Sequence, residues 1–222
     1  MECINIALAK GRLVNKTLDI FSAIGINFEE YSPKSRKLIF YSTDKSMKLV
    51  LVKSGDVPIY VEKGAADIGV AGKDALLEAG ADVYELLDLG IGRCRFAVAS
   101  MYGFEIDTAK KLRVATKYPN LAKSYYNKRK QPIDIIKLNG SVELAPVTGL
   151  SDVIVDIVET GSTLKENGLV VREDICSISA RMIANKVSFR TKGAAIGALI
   201  AKIRMVQEGA YNEDNKGWNA GI

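Results

Sequence analysis

Residues 136–169 read IKLNGSVELAPVTGLSDVIVDIVETGSTLKENGL. The middle of this stretch is a run of β-branched apolar residues that carries two carboxylates, Asp152 and Asp156. It ends in a polar turn, Glu159, Thr160, Gly161, Ser162 and Thr163, after which the sequence can start a helix. A strand–turn–helix unit of this kind leaves backbone N–H groups unpaired at the helix start, and hydroxyls add further donors beside them. Glycine lets the backbone come close to an anion where a Cβ would obstruct it. A site for phosphate alone would avoid nearby carboxylates, which repel it at short range. A ligand with a phosphate at one end and sugar hydroxyls or a magnesium ion close by suits both groups, and ribose 5-phosphate is such a ligand. The same residues also describe a plain capped helix, with Thr160 or Ser162 as N-cap and the aspartates on a solvated face.

Outward from that stretch the chain alternates strands and helices. Residues 4–8 form a strand running into Lys10, Gly11 and Arg12, and the spacing of Leu13, Leu18, Phe21 and Ile24 continues as a helix that closes near Gly25. Two cations and a glycine thus stand at the carboxyl end of a strand, where open α/β sheets bind ligands. Arg offers a polyphosphate a planar fork and Lys a point charge; two solvated loop cations fit the same residues. Strands are expected at 37–42 and 47–53, flanked by Arg36 and Lys53, which either extend a cationic rim or are simply solvated. Asp56 and Pro58 start a helix ending by Gly64, a short buried strand covers 66–72, and 73–79 is helical.

The glycines at 90 and 92 carry the chain into a second lobe, with strands at 94–99, 113–115 and 133–138 and a turn at 116–120. An amphipathic helix at 121–130 mixes Lys and Arg with Tyr125 and Tyr126. Basic residues among aromatics can mark a nucleic-acid surface, yet one short charge run reads more simply as a wet helix face. Strands at 170–172 and 175–178 lead to a helix or strand through Ile183, a long helix at 194–206 and a loose tail from Asn212. This alternation predicts an α/β protein whose parallel or mixed sheet is covered on both faces.

Composition narrows the chemistry. The 222 residues include no histidine, which removes Ser-His-Asp and Cys-His catalysis and histidine-bound zinc. Three scattered cysteines, Cys3, Cys94 and Cys176, imply neither a disulfide framework nor a CxxC metal site. A net charge of +5 favours anionic ligands without demanding nucleic acid. No apolar run approaches the roughly 18 residues of a membrane span, and Lys10 and Arg12 interrupt any secretory signal. A cytoplasmic chain is expected, working through Lys, Arg, Asp, Glu, Tyr and backbone dipoles.

Seven segments together resemble the ATP phosphoribosyltransferase family, which catalyses the first committed step of histidine biosynthesis. They are ALAKGRL (7–13), SRKL (35–38), DVPIYVEKGAADIGVAGKD (56–74), GRCRFAVA (92–99), RVATKYPN (113–120), NGSVELAP (139–146) and DVIVDIVETGSTLKENGL (152–169). They span nearly the whole chain in the family's order. The resemblance implies a two-lobed, periplasmic-binding-protein-like α/β fold with a ligand cleft between the lobes. Lobe I would take 1–92, completed by 179–222, and lobe II, carrying the sugar-phosphate turn, would take 93–178. The chain ends soon after Val206, without room for the regulatory domain of the family's long form. That implies the short form, a homodimer within a hetero-oligomer containing a regulatory subunit resembling histidyl-tRNA synthetase.

By the same resemblance, Glu159, Thr160, Gly161, Ser162 and Thr163 would hold the 5-phosphate of phosphoribosyl pyrophosphate. Asp156, with Asp152, would hold its ribose hydroxyls. Lys10, Gly11, Arg12, Arg36 and Lys53 would take the triphosphate of ATP or the departing pyrophosphate; position 53 is Lys here where the family often has Arg. Asp67 and Gly72 would face the adenine nucleotide, and Glu143 would face the same cleft. Lys10, Arg12 and Asp156 are the expected catalytic residues, and Mg²⁺ would ride on substrate oxygens with no metal site built by the protein. Adenine N1 would attack the ribose C1 as pyrophosphate leaves from the opposite face, and a ring nitrogen needs no strong base. Two other readings fit the residues: a non-catalytic small-anion binding or sensor module on the same fold, and a phosphoribosyltransferase with a different acceptor base.

Overall fold

A computed structural model describes residues 3–107 and 110–216. Contacts divide the chain into two units, one of Met1–Ala75, Ala81–Ile91 and Ala180–Ile222, the other of Leu76–Gly80 and Gly92–Ser179. The chain begins with β1 (Ile4–Ala9), α1 (Arg12–Ala23), β2 (Ile39–Tyr41), β3 (Met47–Val52), α2 (Val57–Glu62), β4 (Ile68–Gly72), α3 (Lys73–Ala79) and β5 (Tyr84–Asp88). It continues with β6 (Cys94–Met101), β7 (Leu112–Thr116), α4 (Pro119–Lys128), β8 (Ile133–Lys137), α5 (Leu144–Val147), β9 (Val153–Val158), α6 (Ser162–Glu166) and β10 (Leu169–Ile178). It closes with β11 (Ala180–Ala184), α7 (Lys186–Thr191) and α8 (Gly193–Lys216).

The first sheet has the order β2-β3-β1-β4-β11-β5. Its centre is parallel, β1 pairing with β3 and β4, and the other three strands join antiparallel. β1 is apolar on both faces apart from Asn5, as a central parallel strand must be. On one face α1 places Val14 and Phe21 beside Ile196, Leu199 and Ile203 of α8. The α2 helix covers the other face with Val57 and Val61.

The second sheet has the order β10-β6-β9-β7-β8, with β7, β8 and β9 parallel and β6 and β10 antiparallel. One face packs Leu121, Ala122, Tyr125 and Tyr126 of α4 against Phe96, Val98, Val114, Val153 and Val155. The other packs Ala145 of α5 and Leu164 of α6 against Ala97, Ala99, Ala115, Ile154 and Val158. The two sheets follow one plan. A central strand (β1 or β7) runs through a helix to a neighbour on one side (β3 or β8). The chain then crosses back over the opposite face to a strand on the other side (β4 or β9). Two antiparallel strands complete that side, β11 and β5 in one unit, β6 and β10 in the other.

Several elements differ from expectation for identifiable reasons. Pro119 opens α4 where a turn was expected, because proline suits the first helical position. Tyr125 and Tyr126 are buried, so the aromatic half of the basic helix is core. Residues 169–178 form one strand with two register breaks, between Val171 and Glu173 and between Asp174 and Cys176. Helix α8 runs on through 212–216, where a loose tail was expected, and 217–222 lie outside the described residues.

Candidate active site

In the second unit β7, β8 and β9 end at one edge of the sheet. The connections that leave this edge part there: β7 proceeds to β8 on one side, and β9 proceeds towards β10 on the other. The β7/β9 boundary is therefore the switch point at which an open α/β sheet forms its crevice. The 159–163 turn rises from this boundary. Gly161 is the N-cap of α6 in the left-handed conformation, at φ 80°, which favours glycine. The Thr160 Oγ1 lies 3.0 Å from the Ser162 Oγ and accepts the Ser162 N–H at 3.3 Å. Lys165 N donates to the Gly161 carbonyl at 3.0 Å, closing the first turn. Glu159, Thr160, Ser162 and Thr163 are exposed, so hydroxyls and the amino end of α6 are open to a ligand.

Asp156 sits half-buried two residues before the end of β9. Alternation along the strand puts it with Ile154 and Val158 on the face that α5 and α6 cover. Glu143 is the half-buried N-cap of α5, on the connection leaving β8. The second unit thus gathers Asp156, Glu143 and the 159–163 turn at one end. It also adds Lys117, an exposed cation one residue past β7 at the switch point. Sequence reasoning passed over Lys117; its place past a strand end was the available signal.

In the first unit the parallel strands end at Ala9, Val52 and Gly72. Lys10 N donates to the Val52 carbonyl at 2.9 Å, which sets Lys10 beside Lys53. Gly11 turns the chain at φ 116° and precedes α1, whose N-terminus no side chain caps. A cavity of about 370 Å³ opens there, lined by Lys10, Gly11, Arg12, Asn15, Tyr31 and Ser35 among others. The Tyr31 hydroxyl donates to Asn15 Oδ1 at 3.1 Å on its wall, and burial raises its pKa. Leu51 N donates to the Leu38 carbonyl at 2.8 Å, so the run through Arg36 passes the same edge. Lys10, Gly11, Arg12, Lys53, Arg36 and Gly72 are therefore brought to one edge of the first sheet.

Two expected site residues are not at these edges. Asp152 precedes β9 and lies at its amino end, roughly 20 Å along the strand from the turn at about 3.3 Å per residue. Its carboxylate accepts the Arg113 backbone N–H at 2.8 Å and the Arg113 guanidinium at 2.6 Å, and this bonding holds its pKa below the usual carboxylate value despite partial burial. Asp67 precedes β4 in the same way. It accepts the Asn5 N–H at 2.8 Å and the Lys192 ammonium at 2.9 Å. Burial raises the Asp67 pKa, but the Asn5 amide and Lys192 outweigh it and leave the value lowered. Both carboxylates join strands at the amino ends of their sheets, away from the carboxyl edges that gather the other expected residues.

A family model described as ATP phosphoribosyltransferase matches residues 53–205. An ATP phosphoribosyltransferase of Oceanobacillus iheyensis is 53% identical over 206 residues, covering 93% of this chain and 99% of that one. One from Brachyspira hyodysenteriae is 56% identical over 204 residues, covering 91% and 99%. The chain belongs to the ATP phosphoribosyltransferase family. Among solved structures, the Thermotoga maritima ATP phosphoribosyl transferase (HisG:HisZ) complex aligns with TM-score 0.82 at 36% identity, covering 93% of this chain and 99% of that one. The Escherichia coli periplasmic aliphatic sulphonate binding protein SsuA aligns with TM-score 0.59 at 14% identity, covering 97% and 72%, a likeness of fold alone. This ATP phosphoribosyltransferase family member is thus a transferase with the two-lobed α/β fold of that binding-protein class. Among the described residues no cluster of three His, Cys, Asp or Glu side chains offers a metal site, and no helix is long and apolar enough to cross a membrane.

Proposed function

We propose that the chain transfers the 5-phosphoribosyl group of phosphoribosyl pyrophosphate to N1 of ATP and releases pyrophosphate, the glycosyl transfer that opens histidine biosynthesis. Family membership supports the reaction. The observation that carries the assignment of parts is the contrast between the two carboxyl edges. One offers hydroxyls, a helix start and Asp156; the other offers Lys10, Gly11, Arg12, Lys53 and Arg36. The second unit is accordingly the sugar-phosphate lobe and the first the nucleotide lobe.

In this reading the 159–163 turn holds the 5-phosphate with N–H and hydroxyl donors. Asp156 accepts from the ribose hydroxyls and stabilises the positive charge that C1 gathers as its bond to pyrophosphate lengthens. Lys10 and Arg12 fix the polyphosphate of ATP or the leaving pyrophosphate, and Lys117 adds a cation beside the sugar-phosphate turn. Gly72 and Glu143 line the approaches to these edges. The rate gain comes from holding two polyanions in line and from fixed charges, so a chain without histidine suffices. Mg²⁺, carried on substrate oxygens and water, neutralises the leaving group when bound. We further propose a cytoplasmic homodimer that works with a regulatory subunit resembling histidyl-tRNA synthetase, as the complex named for the Thermotoga maritima relative suggests.

Pyrophosphate release tests this, measured with ATP, adenine or no acceptor, with and without the regulatory subunit. ATP-dependent release with formation of N1-phosphoribosyl-ATP is expected. Release supported by adenine would reassign the acceptor, and binding without turnover under every condition would leave an anion-binding module.

A further inference from the structure

The shared plan of the two units leaves one position filled in the first and open in the second. In the first, the sheet face beside α1, over β11 and β5, is covered by Ile196, Leu199 and Ile203 of α8. In the second, no long helix packs beside α4 over β6 and β10 among the described residues; the last turn of α3 meets the start of α4, where Glu78 accepts the Asn120 N–H at 3.0 Å and Leu77 shares a cleft with Leu121 and Ile175. Instead Tyr125 and Arg129 of the α4 end reach across to Glu173 on β10. Space remains next to that bridge, a cavity of about 620 Å³. Its volume is that of a small-molecule site. It lies on the α4 face of the sheet, whereas α6 and its turn pack on the other face.

The wall has an apolar part, Val98, Ile106 and the Tyr126 ring, and a cationic part, Arg129, Lys130 and Arg172. Its one carboxylate, Glu173, is already engaged by Arg129 and Tyr125. Arg172 is held in place, donating from Nε to Ser100 Oγ at 2.7 Å and from Nη2 to the Met101 and Phe104 carbonyls at 3.0 and 2.8 Å. The Tyr126 hydroxyl is buried with no hydrogen-bond partner among the described residues.

Lys130 is the telling residue. Lys130 N donates to the Asn127 carbonyl at 3.1 Å and Gln131 N to the Tyr126 carbonyl at 3.1 Å, the Schellman pattern that ends a helix. Lys130 holds the left-handed position of that motif, at φ 56°, where glycine is the usual residue. A lysine there works against backbone preference, and Lys130 lines the cavity.

We infer that this cavity binds a small organic anion, with a carboxylate or monophosphate held between Lys130 and Arg172 and an apolar body against Val98, Ile106 and Tyr126. The test is a ¹⁹F NMR titration of the full chain with 4-fluorophenylacetate, 4-fluorophenyl phosphate and neutral 4-fluorobenzyl alcohol. At least one anion is expected to bind about tenfold more tightly than the alcohol, as a charge-assisted contact implies, and the tighter anion identifies the head group. Lys130→Gly is expected to weaken that anion by a similar factor while leaving the melting temperature unchanged or higher, since glycine suits the position. Ser162→Ala should leave the binding as it was. No binding of either anion, equal binding of the alcohol, indifference to Lys130→Gly, or loss on Ser162→Ala would each overturn the assignment.

Discussion

Asp67 stands one residue ahead of β4 and accepts the N–H of Asn5, the second residue of β1, at 2.8 Å; Asp152 stands one residue ahead of β9 and accepts the N–H of Arg113, the second residue of β7, at 2.8 Å. In return Asp67 N donates to the Asn5 carbonyl at 2.8 Å and Asp152 N to the Arg113 carbonyl at 3.0 Å. At their amino ends the two sheets are fastened in the same way. At their carboxyl ends they differ: cations and a glycine turn in the first unit, hydroxyls, carboxylates and a short helix start in the second. Strand pairing demands the same solution twice, whereas it sets no such demand on the loops that leave the carboxyl edges. The fastenings also differ in partner. Lys192, from the returning end of the chain, meets Asp67 with side chains 17% and 8% exposed, while Arg113 and Asp152 are 46% and 20% exposed.

The strongest attempt to break this contrast is Arg12→Ala. We expect kcat/KM to fall by about 10²–10³, the effect of removing one group that stabilises transition-state charge, with a melting temperature close to wild type. Equal loss of activity and stability would make Arg12 a structural residue. Asp67→Asn should act in the opposite sense, sparing the carboxyl edge but costing about 3 kcal/mol in urea unfolding, because it leaves the Lys192 ammonium buried without its counter-charge. Asp152→Asn should cost less than half of that, since solvent screens its partner.

The pH dependence follows from the same two groups. Both carboxyls have lowered pKa values in the folded chain, so their stabilisation is full above the unfolded value of about 3.9 and is lost as pH falls through the folded value. An acid titration of stability should flatten more for Asp67→Asn than for Asp152→Asn. The smaller effects sharpen the ligand end. Thr160→Ala should raise KM for phosphoribosyl pyrophosphate about tenfold, as loss of a hydrogen bond to a charged group does, and leave KM for ATP unchanged. Gly161→Ala should cost about 1 kcal/mol of stability, because a Cβ is disfavoured at its left-handed φ.

Local pattern was enough to read the parallel cores, the cationic turn after β1 and the turn after β9, because each is a strand, a glycine and a helix in immediate succession. Distance along a strand was less legible. Asp152 and Asp156 both precede the turn, yet the rise of an extended chain carries Asp152 to the far end of β9; Asp67 is separated from Gly72 by β4 in the same way. Lys192 as the partner of Asp67 is 125 residues distant, so no window contains both. Lys117 stands near the 159–163 turn only because β7 lies beside β9, a pairing that the intervening β8 conceals. The inward turn of Tyr125 and Tyr126 was legible, since Leu121 and Ala122 share their helical face.

Diffraction from crystals soaked in phosphoribosyl pyrophosphate gives the most direct test. The 5-phosphate should lie within hydrogen-bonding distance of the backbone amides at 161–163 and the hydroxyls of Thr160 and Ser162, with the ribose hydroxyls on Asp156. A sugar phosphate bound elsewhere, with that turn open to solvent, would contradict the account.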